Sequence, residues 1–403
     1  MTKRQVPKWS ELRPLMRPQP VRLSPVRRRL ERCLTIWDLR AAARRQVPRP
    51  VFDYTDGAAE AEISLRRARR VFGDLEFRPS VLHDVSKVDT TATLLGANAA
   101  FPFAFAPTGF TRLMHHDGEC AVARVAQRRG IPYALSTLGT TSIEDVAAAA
   151  PAGHKWFQLY VYRDRAAGAD LAARAKAAGF EALLVTVDAP VGGARLRDKR
   201  NGFAIPPALT LKSIADISLR PGWWINLLTT EPLRFASFAS WDRTVGELMD
   251  YLLDPTMTIA DLEWMRSIWS GPLAIKGIQT TEDARRVVDA GADAVVLSNH
   301  GGRQLDRAPV PLRLVPDVVQ AVGDRAEVYV DTGIMSGADI AAAVALGASG
   351  ALVGRAYLYG LMAGGEQGVD RAAEILASEL TRTMQLLGAS ELSQLGPQHV
   401  RLP

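Results

Sequence analysis

Between Phe103 and Val353 the chain alternates short apolar runs with Ala-rich helical patterns, and this alternation restricts it to a parallel α/β architecture. Eight runs read as strands: Phe103 to Ala106, Tyr133 to Ser136, Trp156 to Tyr160, Ala182 to Val187, Leu273 to Lys276, Ala294 to Ser298, Glu327 to Asp331 and Ala351 to Val353. Runs such as Ala294 to Ser298 are continuous in small and β-branched residues, the pattern of strands covered on both faces. Helical stretches closed by glycine lie between most of them, as in Arg174 to Gly179. Eight units fit a closed (β/α)8 TIM barrel. A doubly wound open sheet is the alternative, but no glycine-rich dinucleotide fingerprint follows the first strand.

A barrel with insertions reaches 403 residues as one domain. Its 47% hydrophobic and 23% charged residues are ordinary for a globular protein, and no uncharged apolar stretch is long enough for a membrane span. Cys33 and Cys120 form no spaced metal or redox pair and suit a reducing, cytoplasmic setting; no metal site is assigned. The charge is uneven. Residues 1–49 hold 14 Lys or Arg against 3 Asp or Glu, so a chain of net +6 has a body of −5 after this segment. Such a basic segment stays solvated, packs locally, or meets anionic lipid at the inner face of the cell membrane. Nucleic acid is not expected, because no stacking platform or binding motif accompanies the charge. Neither a secretory signal nor a clear transit peptide is read, since the start lacks an apolar core and carries five prolines in its first 25 residues.

Residues 1–29 read as a Pro- and Arg-rich arm of low structural content, followed by one domain over 30–403. From Thr35 a capped helix is expected, ending before Pro48, and a second helical stretch runs through Arg70. An irregular insertion, about 201–264, separates the fourth and fifth strands and holds Pro206-Pro207 and Trp223-Trp224. Insertions of this length are commonly lids, binding elements or disordered segments.

In a barrel, all eight strand ends open on one face. Here they carry Ala106-Pro107-Thr108-Gly109, Ser136, Gln158 with Tyr160, Thr186 with Asp188, Lys276, Ser298 to Arg303, Asp331-Thr332-Gly333 and Gly354-Arg355. The sixth is the most telling. A histidine leaves the strand, two glycines permit a sharp turn, and Arg303 follows, placing a base beside an anion clamp. An ordinary strand end with a packed histidine and a solvated arginine is the alternative for such a stretch alone.

The run SNHGGRQLD resembles, residue for residue, the active-site motif of the FMN-dependent α-hydroxy acid oxidases and dehydrogenases. GARLRD at 193–198 and GRAYLYGL at 354–361 extend the likeness, which covers nearly the whole chain after the arm and is greatest to the bacterial L-lactate dehydrogenases. The resemblance implies that FMN is bound and that an L-2-hydroxy acid, lactate first, is oxidised to a 2-oxo acid, with electrons passed to a quinone or other acceptor. It implies His300 as base, Asp188 as its partner, and Tyr54, Arg195 and Arg303 as the carboxylate clamp, with Tyr160 on the hydroxyl oxygen. Lys276 would offset charge on the reduced flavin. Pro107, Thr108, Gly109, Ser136, Gln158, Thr186 and Ser298 would surround its ring and ribityl chain. Asp331, Thr332, Gly333, Gly354 and Arg355 would lie at its phosphate end. Many members read Asp-Gly-Gly-Ile/Val-Arg-x-Gly after the seventh strand, whereas here the arginine is replaced by Met335, removing a cationic phosphate contact. In membrane-associated relatives a comparable insertion carries the membrane-contacting part, and the likeness reaches Pro221 to Trp223. Family resemblance also implies a homotetramer or larger. Oxygen as acceptor, a mandelate, glycolate or peptide-derived substrate, and a noncatalytic flavin-binding module are the alternatives.

Overall fold

The computed structural model describes residues 5–16, 24–160, 163–202, 211–238 and 253–403, so Pro206-Pro207 and parts of the arm and insertion lie outside it. All eight expected strands form and close into a parallel barrel, the eighth pairing back on the first through Ala351↔Phe103, Leu352↔Ala104 and Val353↔Phe105. Their ends move by only a residue or two, as in Leu273–Ile278 for the fifth strand.

The barrel interior is narrow enough for small residues to fill much of it. Ala104, Ala134, Ala182, Ala274 and Ala294 face Trp156 and Tyr329 there. The bottom is plugged by a hairpin of Ala92–Leu94 and Ala97–Ala99. Leu95 of its turn donates its backbone N–H to the Tyr329 hydroxyl at 3.1 Å. With one end closed by apolar packing, the open end is the rim where the strands terminate. The second, larger core lies between the strands and the surrounding helices.

Five helices precede the barrel: α1 (Trp9–Leu12), α2 (Pro25–Glu31), α3 (Ile36–Gln46), α4 (Arg49–Asp56) and α5 (Ile63–Asp74). The basic arm is thus more structured than its composition suggests. Ser24 caps α2, Pro25 fits the first turn, Leu30 is buried, and the helix straddles the boundary expected at residue 29. The cap expected at Thr35 forms, with Asp38 closing the capping box. Helix α4 follows Pro48 and ends beneath a network centred on Asp56. That carboxylate accepts bonds from Arg40 at 2.6 and 2.9 Å, Arg197 at 2.9 Å and the Tyr359 hydroxyl at 2.8 Å. Three partners from distant elements fix the helix over the barrel mouth.

The described part of the insertion contains the helices Leu211–Ser218 and Pro221–Thr229, and Ile259–Ile268 returns the chain to the barrel. Trp223 is tied to the body, its indole N–H donating to Leu113 O at 2.8 Å. Ile214, Ile225 and Leu228 on these two short helices, and Leu219 between them, are exposed. Among the described residues, no helix is long and apolar enough to cross a membrane.

Candidate active site

The sixth strand ends at Leu297, and the chain then turns through three consecutive residues of positive φ: His300 (57°), Gly301 (66°) and Gly302 (75°). Left-handed backbone is uncommon for a residue with a Cβ, and histidine is among the side chains that tolerate it best. The turn is held by Gly302 N–H donating to Asn299 Oδ1 at 2.9 Å and His300 N–H to Ser298 Oγ at 3.0 Å. It brings the imidazole Nδ1 to 2.9 Å from Asp188 Oδ1 at the end of the fourth strand. A carboxylate acceptor requires the proton on Nδ1, which leaves Nε2 as the basic nitrogen. The fifth strand passes so close to Asp188 that a Cβ on Gly277 would lie 2.6 Å from the aspartate Cβ, and Gly277 has φ 110°. Glycine is needed there to let the acid reach the histidine.

Arg303 donates to the backbone carbonyls of Tyr54 at 2.5 Å and Gly57 at 3.4 Å, both at the end of α4. Its guanidinium lies 4.9 Å from the Tyr54 ring centre and that of Arg195 lies 5.5 Å from it, so one aromatic ring orients both cations. Burial, with Arg195 and Arg355 nearby, presses the Arg303 pKa down to about 10. A guanidinium that is desolvated, crowded by like charge and bonded to neutral carbonyls favours an anion in front of it. Burial and the Asp188 charge push the Tyr160 phenol upward, so it keeps its proton as a donor.

These groups line a cavity of about 960 Å³, shared by Tyr54, Pro107, Thr108, Gly109, Ser136, Gln158, Tyr160, Thr186, Arg195, Lys276, His300, Arg303, Asp331, Thr332, Gly333, Met335, Gly354 and Arg355. Asp188 and Ser298 stand behind the wall. Ser298 is fully buried; its hydroxyl receives Lys276 Nζ at 3.0 Å and donates to Asp331 Oδ2 at 2.8 Å. Lys276 Nζ is itself 2.8 Å from Asp331 Oδ2. Burial works against the lysine cation, but Asp331 and Asp188 outweigh it and its pKa rises. The lysine cation is thereby held in the wall as one half of an ion pair with Asp331. Along three neighbouring strands, Ser136 Oγ donates to Gln158 Oε1 at 2.9 Å, and Gln158 Nε2 to Thr186 Oγ1 at 3.0 Å. Arg355 lines the cavity with most of its fork already engaged. Its Nε meets Thr55 O at 2.9 Å, and its Nη2 meets Gly57 O at 2.7 Å and Gly301 O at 2.9 Å.

Two site residues lie within the SNHGGRQLD and GARLRD runs without an expected role of their own. Gln304 accepts from Gly193 N–H at 2.9 Å and donates to Asp188 O at 3.2 Å and Val191 O at 2.9 Å, pinning the loop that bears Arg195 onto the histidine loop. A Cβ on Gly193 would lie 2.1 Å from Arg303 O, so the glycine pair before Arg195 was the available clue to this close approach. Asp198 also lines the cavity, and burial raises its pKa against the pull of Arg303 and Arg195.

A closed barrel whose rim joins a carboxylate-held histidine, a pair of guanidiniums, a buried lysine and glycine turns defines an oxidoreductase for CH–OH donors that carry an anionic group. The donor set also suits a flavin mononucleotide: a fixed cation at one wall, polar groups along three strands, and the Gly333 and Gly354 turns for a phosphate. The family model for FMN-dependent dehydrogenase matches residues 43–402, and the chain belongs to that family. It binds FMN and is an FMN-dependent oxidoreductase acting on a CH–OH donor. A putative L-lactate dehydrogenase of Mycobacterium tuberculosis (strain ATCC 25618 / H37Rv) is 56% identical over 397 residues, 98% of this chain and 96% of that protein. An L-lactate dehydrogenase of Caulobacter vibrioides (strain NA1000 / CB15N) is 43% identical, over 89% of this chain and 95% of that protein. The crystal structure of the monotopic membrane protein (S)-mandelate dehydrogenase superposes with a TM-score of 0.89 at 35% identity, covering 92% of this chain and 100% of that one.

Proposed function

We propose that the chain oxidises an L-2-hydroxy acid to the 2-oxo acid, L-lactate to pyruvate in the first instance, and passes the electrons to a quinone or another acceptor. The observation that carries this reading is His300 Nδ1 held by Asp188 on the same cavity as Arg303. Arg303, Arg195 and Tyr54 hold the substrate carboxylate, and the Tyr160 O–H donates to the hydroxyl oxygen. His300 Nε2 takes a proton from the substrate, and the Asp188 carboxylate offsets the charge that results. FMN, when bound, supplies the two-electron acceptor. Lactate is supported by the names of the two relatives above. A larger substrate such as mandelate is the second reading, favoured by the likeness to (S)-mandelate dehydrogenase and by the apolar wall of Phe110, Met114 and Leu138. Glycolate or a peptide-derived acid, and oxygen as the acceptor, belong to the same set. Anaerobic titration with a panel of L- and D-2-hydroxy acids should bleach the oxidised flavin band with L-acids, L-lactate among the fastest. Reoxidation by quinone against oxygen then separates dehydrogenase from oxidase. A flavin left oxidised by every L-acid would reject the assignment.

We infer also a cytoplasmic protein held peripherally on the inner face of the cell membrane, as a homotetramer. The basic first 49 residues and the exposed Ile214, Leu219, Ile225 and Leu228 support contact with an anionic surface, and the tetramer rests on family resemblance. Cosedimentation with anionic liposomes should be strong at low salt and reduced at high salt; protein left in solution under both conditions would overturn the membrane reading.

A further inference from the structure

The geometry points to Arg69, on α5, as the cation that takes the place of the missing arginine against the FMN phosphate. The inference rests on the reading that the phosphate lies at the Gly333 and Gly354 turns. Met335 offers no charge there: its side chain is apolar, and its backbone N–H donates to Asp339 Oδ2 at 2.8 Å. Arg69 reaches the same place from another element. Its Nη1 lies 2.7 Å from Asp339 Oδ2 and also donates to Gly333 O, the carbonyl of the seventh-strand turn itself. The guanidinium is 5.7 Å from the Trp37 ring centre and 5.3 Å from that of Phe72, so aromatic contacts help to orient the fork. Its Nε and Nη2 make no hydrogen bond with the described residues, and it lines the cavity that holds Gly333 and Gly354.

The charge requirement supports the assignment. A phosphate monoester carries about −1.5 to −2 near neutral pH. Arg355 has committed Nε and Nη2 to three carbonyls and keeps only Nη1 for an anion. One guanidinium and backbone N–H groups leave the phosphate short of donors and of positive charge, and Arg69, whose Nη1 is shared with Asp339, still presents Nε and Nη2 to the cavity.

Riboflavin, which is FMN without the phosphate, isolates this contact. FMN is dialysed from the holoenzyme, and FMN or riboflavin is titrated back and followed by quenching of flavin fluorescence. The wild-type protein should prefer FMN strongly. Arg69→Met should weaken FMN roughly tenfold or more with little change for riboflavin. Arg69→Lys should retain most of the preference, and Arg69→Met with Met335→Arg should restore it. Where Arg69→Met fails to fold, Arg69→Met with Asp339→Asn removes both charges together and carries the same comparison. An unchanged FMN preference, or equal weakening of both flavins, would overturn the role of Arg69. A wild-type protein that binds both flavins equally would overturn the phosphate placement beneath it.

Discussion

His300→Gln is expected to slow flavin reduction by an L-2-hydroxy acid about 10²- to 10⁴-fold, the usual contribution of a positioned proton acceptor, while FMN stays bound. Glutamine keeps polar groups near Asp188 but has no nitrogen that takes up a proton in the working range. The residue also sits at φ 57°, where any replacement must accept left-handed backbone. An unchanged visible spectrum of the bound flavin is therefore the control that the loop has survived. Stopped-flow reduction under anaerobic conditions gives the rate directly. Turnover near the wild-type rate would remove His300 from the proposed chemistry. A slow variant that has also lost its flavin would point to damage of the turn at 300–302.

Lys276→Met is expected to cost about 3–5 kcal/mol of stability, because it strands a buried carboxylate. Asp331 is pushed up by burial and pulled down by Lys276 and its hydrogen bonds, and the net effect holds it below its ordinary 3.8. Its contribution to stability is thus complete above the unfolded value and is lost as pH falls through the lower folded one. The raised Lys276 pKa acts at the other end of the scale: its contribution is complete below the ordinary 10.5 and is lost as pH rises through the folded value. Denaturant unfolding near neutral pH should show the loss, and Lys276→Met with Asp331→Asn should recover a large part of it by removing both charges. If the single variant unfolds like the wild type, Asp331 is not left as a stranded buried charge.

The barrel was legible because its strands are covered on both sides, so each appears as a continuous apolar run with a polar residue where it meets the rim. Tyr160, Asp188, Lys276 and His300 were visible for this reason. The arm was misjudged because composition counts Arg27, Arg28 and Arg29 as solvated charge and does not weigh a Ser24 cap or one buried Leu30. Ser298 bonds both Lys276 and Asp331 from neighbouring strand ends, and alternation along a strand does not tell which polar neighbours a hydroxyl will meet. Gln304, Asp56 and Arg69 act through partners far away in sequence, and no local spacing encodes such contacts. The replacement at Met335 was plain, but finding a substitute cation required the packing of α5 on the seventh-strand turn.

Helix α4 closes the mouth with its own backbone: the carbonyls of Tyr54, Thr55 and Gly57 receive Arg303 and Arg355 across 246 to 300 residues of chain. At about 5–20 residues per second, a ribosome needs roughly 15–60 s to make the later partner after the earlier one has been made. A nascent chain can therefore complete this entrance only after Arg355 has been made.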